Sequence, residues 1–263
     1  MKIDNYNDFS KRLATSLFLI LLLIGLFSIG NIGINLMVIV ICYLSFLEIH
    51  NLKKSNVKLQ YHISFLILLY FFIAKSGILN LFDYLILIIF YTLSSIIILG
   101  SLFQKSNIHF SIVGFLLNST FFSIIYIISN HVLEYKLIFI IITIISVCDI
   151  LAYLIGKKFG KSKIFPKISP NKTIEGYIGS SFCSLFLFAM IFLYLNLNDL
   201  NLILYVIIII VASFVGDLYI SFFKRKLNIK DLGKLFPGHG GVLDRIDSWL
   251  ISFPLSFLIL QFS

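Results

Sequence analysis

The chain has 263 residues, of which 59% are hydrophobic and only 13% are charged. A soluble domain carries about 25% charged residues, so this composition excludes a soluble globular protein and is typical of a polytopic membrane protein. The formal net charge is +9. In a membrane protein such an excess marks cytoplasmic loops and contact with anionic lipid, so we expect no nucleic-acid partner.

Apolar segments long enough to cross a bilayer recur along the chain, since a transmembrane helix needs about 20 residues. The sequence predicts about nine such helices, in order near 13–30, 32–48, 62–79, 82–101, 109–129, 136–156, 177–197, 201–222 and 247–262. The predicted fold class is therefore all-α, a polytopic integral membrane protein. We divide it into N-terminal transmembrane helices, 1–135, and a C-terminal region, 136–263, with polar loops at 157–176 and 223–246.

The positive charges test this count of helices. With nine spans, all but Lys75 and Lys136 of the 21 Lys and Arg residues lie at the N-terminus or in loops on one side of the membrane. Cytoplasmic loops carry such an excess. We expect a multi-pass protein of the cell (inner) membrane, with its N-terminus and both polar loops in the cytoplasm and its C-terminus outside.

Four aspartates lie near the predicted cytoplasmic ends of the spans. Asp149 and Asp217 lie near the ends of the sixth and eighth spans, and Asp244 and Asp247 open the ninth. Ionisable groups in a span are costly and usually face a polar cavity or a partner, although one aspartate before a helix also fits an N-cap. Mg²⁺ prefers one or two carboxylates with phosphate oxygens, so Asp217, Asp244 and Asp247 are chemically adequate ligands.

A glycine-rich turn, PGHGG, precedes Asp244. Its Gly238, Gly240 and Gly241 let backbone N–H groups approach an anion, and the following helix directs its positive end to the turn. His239 fits either a donor or proton carrier at a phosphate, or an ordinary turn residue. The cations around the turn include Lys224, Arg225, Lys230 and Arg245. The turn therefore indicates phosphate binding.

A second basic segment follows the sixth predicted span. Its run SPNKTIEG places Ser169 and Lys172 where they can reach a phosphate, with Glu175 beside them. Lysines here also fit a positive-inside signal or contact with anionic lipid. Glu175 with Lys172, and Asp231 with Lys230, also fit plain ion pairs. The run GKKFGKS lacks the spacing of a Walker P-loop. Together the two segments indicate phosphoryl or nucleotidyl chemistry at a bilayer surface.

The polar segments resemble the signature of the phosphatidate cytidylyltransferases, also called CDP-diglyceride synthases. The run SFFKRKLNIKDLGKLFPGHGGVLDRIDS, which begins at Ser221, is similar to the family pattern without a gap. Two shorter blocks, DILAYLIG from Asp149 and SPNKTIEG from Ser169, are similar as well, and Gly216-Asp217 fits the G-D before the signature. The specific resemblance covers residues 149–250.

This resemblance implies an all-helical, dimeric nucleotidyltransferase of phospholipid biosynthesis, which makes CDP-diacylglycerol and pyrophosphate from CTP and phosphatidate with Mg²⁺. It implies catalytic roles for metal ligands Asp217, Asp244 and Asp247, for charge-neutralising Lys224, Arg225 and Arg245, and for His239. The residues expected to bind substrate are Asp149, Ser169, Lys172, Glu175, Ser221, Lys230, Asp231, Gly238, Gly240 and Gly241.

Other functions share some of these sequence features. A related CTP-dependent transferase acting on another lipid phosphate stays open, because the N-terminal spans do not identify the acceptor. The D-G-x2-A-R motif of CDP-alcohol phosphotransferases is absent from the sequence. A transporter would carry broken helices in repeated halves, which the sequence does not display. A lipid-binding scaffold without enzymatic activity would be expected only if the signature had lost some of its residues, whereas every fixed position of the signature is filled in this sequence.

Overall fold

A computed structural model describes residues 25, 28, 31–52, 108–130, 134–194, 200–233, 235 and 240–262. Its helices are α1 (Asn31–Leu52), α2 (Ile108–Asn130), α3 (Glu134–Phe159), α4 (Ile174–Tyr194), α5 (Leu200–Lys226) and α6 (Trp249–Phe262). The described residues form no strand beyond one isolated bridge between Lys163 and Thr173. The all-α prediction is therefore confirmed for this part of the chain.

Within the described ranges, three helical segments are long and apolar enough to cross a membrane: Ile138–Phe159, Ile174–Leu193 and Leu202–Lys226. They correspond to the sixth, seventh and eighth predicted spans. Shorter apolar helices correspond to the second, fifth and ninth. The predicted third and fourth spans, and all of the first except Gly25 and Ser28, lie outside the described residues. The count of about nine thus stays a prediction.

The described residues fall into two compact units. The first takes its residues from Met1–His131 and Ile229–Ile246, and the second from Val132–Asn228 and Asp247–Ser263. In the first unit α1 packs against α2; in the second α3 packs against α4 and α5 against α6, while α3 and α4 both contact α5. The predicted domain division after residue 135 concerns membrane topology and stays a prediction.

Small residues bring α3 and α4 close together. A Cβ added at Gly176 would lie 2.8 Å from the carbonyl oxygen of Ala152 and 3.1 Å from the Cα of Gly156. Membrane helices pack closely where such residues meet. Thr173 caps α4, because its Oγ1 accepts a hydrogen bond from the N–H of Gly176 at 3.2 Å. The crossing and the cap fix both ends of the loop between the two helices.

A stripe of large apolar side chains runs along the outside of α4. Ile178, Phe182, Phe186 and Met190 recur every four residues and are exposed, Phe182 to 71%. Soluble monomers rarely expose so continuous a patch, whereas a bilayer accommodates it. This face therefore supports a membrane protein.

Candidate active site

Asp217 and Asp247 are brought together where α5 meets the start of α6. Gly216 permits this approach, because a Cβ there would lie 2.7 Å from the carbonyl oxygen of Asp247 and 3.3 Å from the Cα of Ser248. The glycine before Asp217 thus has a steric role. It lets one aspartate-bearing helix lie against the backbone that carries the other aspartate.

Lys172 forms an ion pair with Asp217. The side chains are only 21% and 23% exposed, respectively. Lys172 lies in the loop between α3 and α4. Two backbone hydrogen bonds close this loop: the N–H of Ile164 donates to the Lys172 carbonyl at 3.2 Å, and the N–H of Ile174 donates to the Ser162 carbonyl at 2.9 Å. The fold of the loop therefore places Lys172 beside Asp217 on α5.

Glu175 holds the beginning of the same loop. Its carboxylate accepts hydrogen bonds from the N–H of Lys161 at 3.1 Å and from the N–H of Ser162 at 3.0 and 3.1 Å. The predicted alternative, a simple ion pair of Glu175 with Lys172, is not what the structure has, since Lys172 pairs with Asp217. The predicted contact of Glu175 with substrate stays a prediction.

Asp149, Asp217 and Asp247 form what we call the carboxylate cluster. Asp149 lies within electrostatic reach of Asp217 and Lys172, and it accepts a long hydrogen bond of 3.4 Å from the Oγ of Ser248. Burial, and then the charge of Asp217, raise the pKa of Asp247, while Lys224 opposes this rise. Three acids and two cations thus share one site.

The remaining predicted residues of the second unit lie on α5 and in the loop between α3 and α4. Ser221 lies one turn after Asp217 on α5. The Nε of Arg225 donates to the carbonyl oxygen of Ile168 at 3.0 Å, so this guanidinium braces the loop. Ser169 lies in the same loop, where its N–H donates to the carbonyl oxygen of Phe165 at 2.9 Å. Their predicted roles toward substrate stay predictions.

In the first unit, the carboxylate of Asp244 organises the signature segment. Its Oδ2 accepts hydrogen bonds from the N–H of Leu232 at 2.8 Å and of Gly241 at 2.9 Å. Gly240 adopts a positive φ of 81°, which favours glycine, and a Cβ there would lie 2.7 Å from Asp244 Oδ2. Asp244 is therefore built into the turn that precedes it.

Glu48 of α1, which the sequence analysis missed, belongs to the same unit. Its buried carboxylate accepts hydrogen bonds from the backbone N–H groups of Val242 and Leu243. The available signal was an acid within an apolar predicted span, a pattern that usually marks a partner or a polar site.

Other predicted residues of the first unit lie at its surface. Lys230, Asp231 and Arg245 are exposed in the first unit. Gly238 and His239 lie outside the described residues, so the predicted phosphate contacts of the turn are not described at these two positions.

The donor set of the described residues decides whether Mg²⁺ fits the site. Within the described ranges, no group of three or more His, Cys, Asp or Glu side chains is arranged to hold a metal ion. Mg²⁺ needs only one or two carboxylates when phosphate oxygens complete its shell. Asp217 and Asp247 are two acids whose proximity raises the cost of a second negative charge, which a cation would relieve. The residues fit the ion in this mode.

The fold and site define a helical membrane protein with clustered acids and cations at the ends of its spans. Residues 10–263 match the model of the cytidylyltransferase family. The chain belongs to this family, and the resemblance noted in its sequence is confirmed at that level.

Several curated relatives are similar to part of the chain. Proteins named phosphatidate cytidylyltransferase from Staphylococcus haemolyticus, Staphylococcus aureus strain COL and Staphylococcus saprophyticus are 44%, 46% and 41% identical to it, each over 119 residues. The aligned part is 44% of this chain and 46% of each relative. The match thus spans about half the length of these relatives.

Proposed function

We propose that the protein transfers the cytidylyl group of CTP to phosphatidate, forming CDP-diacylglycerol and pyrophosphate. The family match over residues 10–263 carries this proposal, and the names of the staphylococcal relatives suggest the acceptor. The cations beside the carboxylate cluster support it as well, because the reaction unites two anions at a bilayer surface.

In this reaction a phosphate oxygen of phosphatidate attacks the α-phosphorus of CTP. The bond from that phosphorus to the oxygen bridging to the β-phosphorus breaks, and pyrophosphate leaves with the bonding electrons. The nucleophile is already an anion, so the protein needs no strong general base and acts by positioning and charge stabilisation. Lys172 and Lys224 are the cations near the carboxylate cluster that suit this task.

We assign Mg²⁺ to Asp217 and Asp247, and ligation by Asp244 stays a prediction. When bound, the ion neutralises charge on the triphosphate and makes the α-phosphorus more electrophilic. We also propose a homodimer, with the N-terminus and the polar loops in the cytoplasm and the C-terminus outside. The excess of cations in those loops supports this orientation.

The deciding experiment uses purified protein in detergent with CTP, phosphatidate and Mg²⁺. We expect release of pyrophosphate together with formation of CDP-diacylglycerol, and no product when EDTA removes the metal. A parallel reaction replaces phosphatidate with an isoprenoid ether phosphate. Product only from the second lipid would reject phosphatidate and favour the related CTP-dependent transferase. No product from either lipid, in a sample that remains folded, would reject the proposal.

A further inference from the structure

We infer that Glu48, in a helix without any signature residue, is a positioning residue for the segment that carries Asp244. This inference rests on the proposed function for its catalytic consequence. Glu48 lies within an apolar helix, and only 9% of the residue is exposed. A buried carboxylate is tolerated when it is paired or hydrogen-bonded, so the partners of Glu48 reveal its role.

Both oxygens of this carboxylate bind consecutive backbone N–H groups of the signature segment. Val242 donates to Oε1 at 2.7 Å and Leu243 donates to Oε2 at 2.9 Å. Asp244 is the next residue, and its Oδ2 in turn accepts from the N–H groups of Gly241 and Leu232. Two carboxylates thus hold the backbone on successive residues of one turn. The orientation of Asp244 therefore depends on Glu48.

Two glycines of the signature make room for Glu48. A Cβ at Gly241 would lie 2.5 Å from both carboxylate oxygens, and its three nearest atoms all belong to that carboxylate. A Cβ at Gly233 would also collide with Glu48. Among the described glycines only Gly240 has a positive φ. The need for glycine at both positions is therefore steric. Glu48 occupies the space beside Gly241, and Glu48 together with the Cα of Gly241 occupies the space beside Gly233.

The first test compares Glu48→Ala with wild type by two readouts: kcat for cytidylyl transfer, and hydrogen exchange of the amides of residues 240–246 without substrate. We expect kcat to fall on the order of 100-fold, the cost of a misplacement of about 1 Å, with faster exchange confined to this segment.

Glu48→Gln keeps one acceptor oxygen and serves if the alanine variant does not fold. Ser45→Ala is the matched control, because Ser45 is buried on the same helix and, among the described residues, its hydroxyl donates to the Ile41 carbonyl of its own helix at 2.6 Å. Wild-type exchange in both Glu48 variants would overturn the inference, whatever their activity.

The second test is a double-mutant cycle. Gly241→Ala alone is expected to lower kcat as Glu48→Ala does. The double variant is expected to be no worse than Glu48→Ala, because the three atoms nearest to the added methyl group all belong to the carboxylate that Glu48→Ala removes. Additive losses would assign Gly241 to a bound ligand and overturn its steric role. The exchange measurement needs no turnover, so failure of the proposed cytidylyltransferase activity would leave the structural outcome readable.

Discussion

Lys172 and Asp217 are joined in an ion pair although 45 residues separate them in the chain. The pair connects the loop after α3 to the C-terminal half of α5, and it partly neutralises a site that also contains Asp149 and Asp247. An anionic substrate that enters this site meets a lysine already oriented by its partner. Orientation before binding is what lets a charged group stabilise a reacting phosphate without reorganising.

Replacing Lys172 by Gln is expected to lower kcat on the order of 100-fold, as the loss of one positioned donor to a reacting oxyanion does. Lys172→Arg keeps the charge with a different geometry and should retain part of the activity. The measurement is the rate of CDP-lipid formation at saturating CTP. Lys158→Gln is the control, since Lys158 is exposed and lies over the Phe159 ring at 5.2 Å. Equal rates for Lys172→Gln and the control would reject a role for this lysine.

Asp247→Asn is expected to abolish turnover while making the substrate-free protein more stable. Burial and the neighbouring Asp217 raise the pKa of Asp247. Its ionisation therefore opposes folding, and this loss of stability develops as pH rises from the unfolded pKa of about 3.9 to the raised folded pKa. Above that window the Asn variant should have the higher unfolding midpoint in detergent. A lower midpoint together with lost activity would indicate a structural role instead.

Asp244→Asn is also expected to abolish turnover while the protein still inserts into the membrane. The amide keeps a carbonyl oxygen that can accept from Leu232 and Gly241, so the turn is largely retained. The negative charge is lost, and an NH2 group replaces the other carboxylate oxygen. Activity at increasing Mg²⁺ is the measurement, and normal turnover at saturating Mg²⁺ would contradict a metal-binding role.

Gly176→Ala is expected to destabilise the protein by about 1–3 kcal/mol, the usual cost of forcing atoms into a packed contact. The added Cβ would lie 2.8 Å from the Ala152 carbonyl oxygen. Gly25→Ala is the matched control, because no atom of the described residues lies within 4 Å of a Cβ at that position. Thermal unfolding in detergent measures both variants. Equal midpoints would show that α3 and α4 separate without cost.

Glu175→Ala is expected to open the loop between α3 and α4, because the N–H groups of Lys161 and Ser162 lose their acceptor. Limited trypsin digestion measures this opening, with faster cleavage after Lys161 and Lys163. Asn171→Ala, exposed in the same loop, provides the control. Unchanged cleavage in Glu175→Ala would show that the backbone bonds alone hold the loop.

The described helices were predictable because each apolar run has the length of a span, and the run from 201 to 222 falls within α5. The proximity of Asp149, Asp217 and Asp247 was predictable, because all three lie near the same end of their predicted spans. The partner of Lys172 did not follow, because the path of an irregular loop sets it. The role of the Asp244 carboxylate as a backbone acceptor was hidden for the same reason. Glu48 carries a readable signal, but its partners lie 194 and 195 residues away.

Because Glu48 of α1 binds the backbone of the signature segment, this segment cannot be transferred to another protein without α1. Residues Ile229–Ile246 belong to the same unit as α1. A hybrid protein that combines helices α3 through α6 of one homologue with an unrelated N-terminal membrane anchor would therefore lack Glu48, whose carboxylate holds this segment. Recombination within the family should succeed only when α1 and the glycine-rich segment are exchanged together, as two parts of one inherited unit.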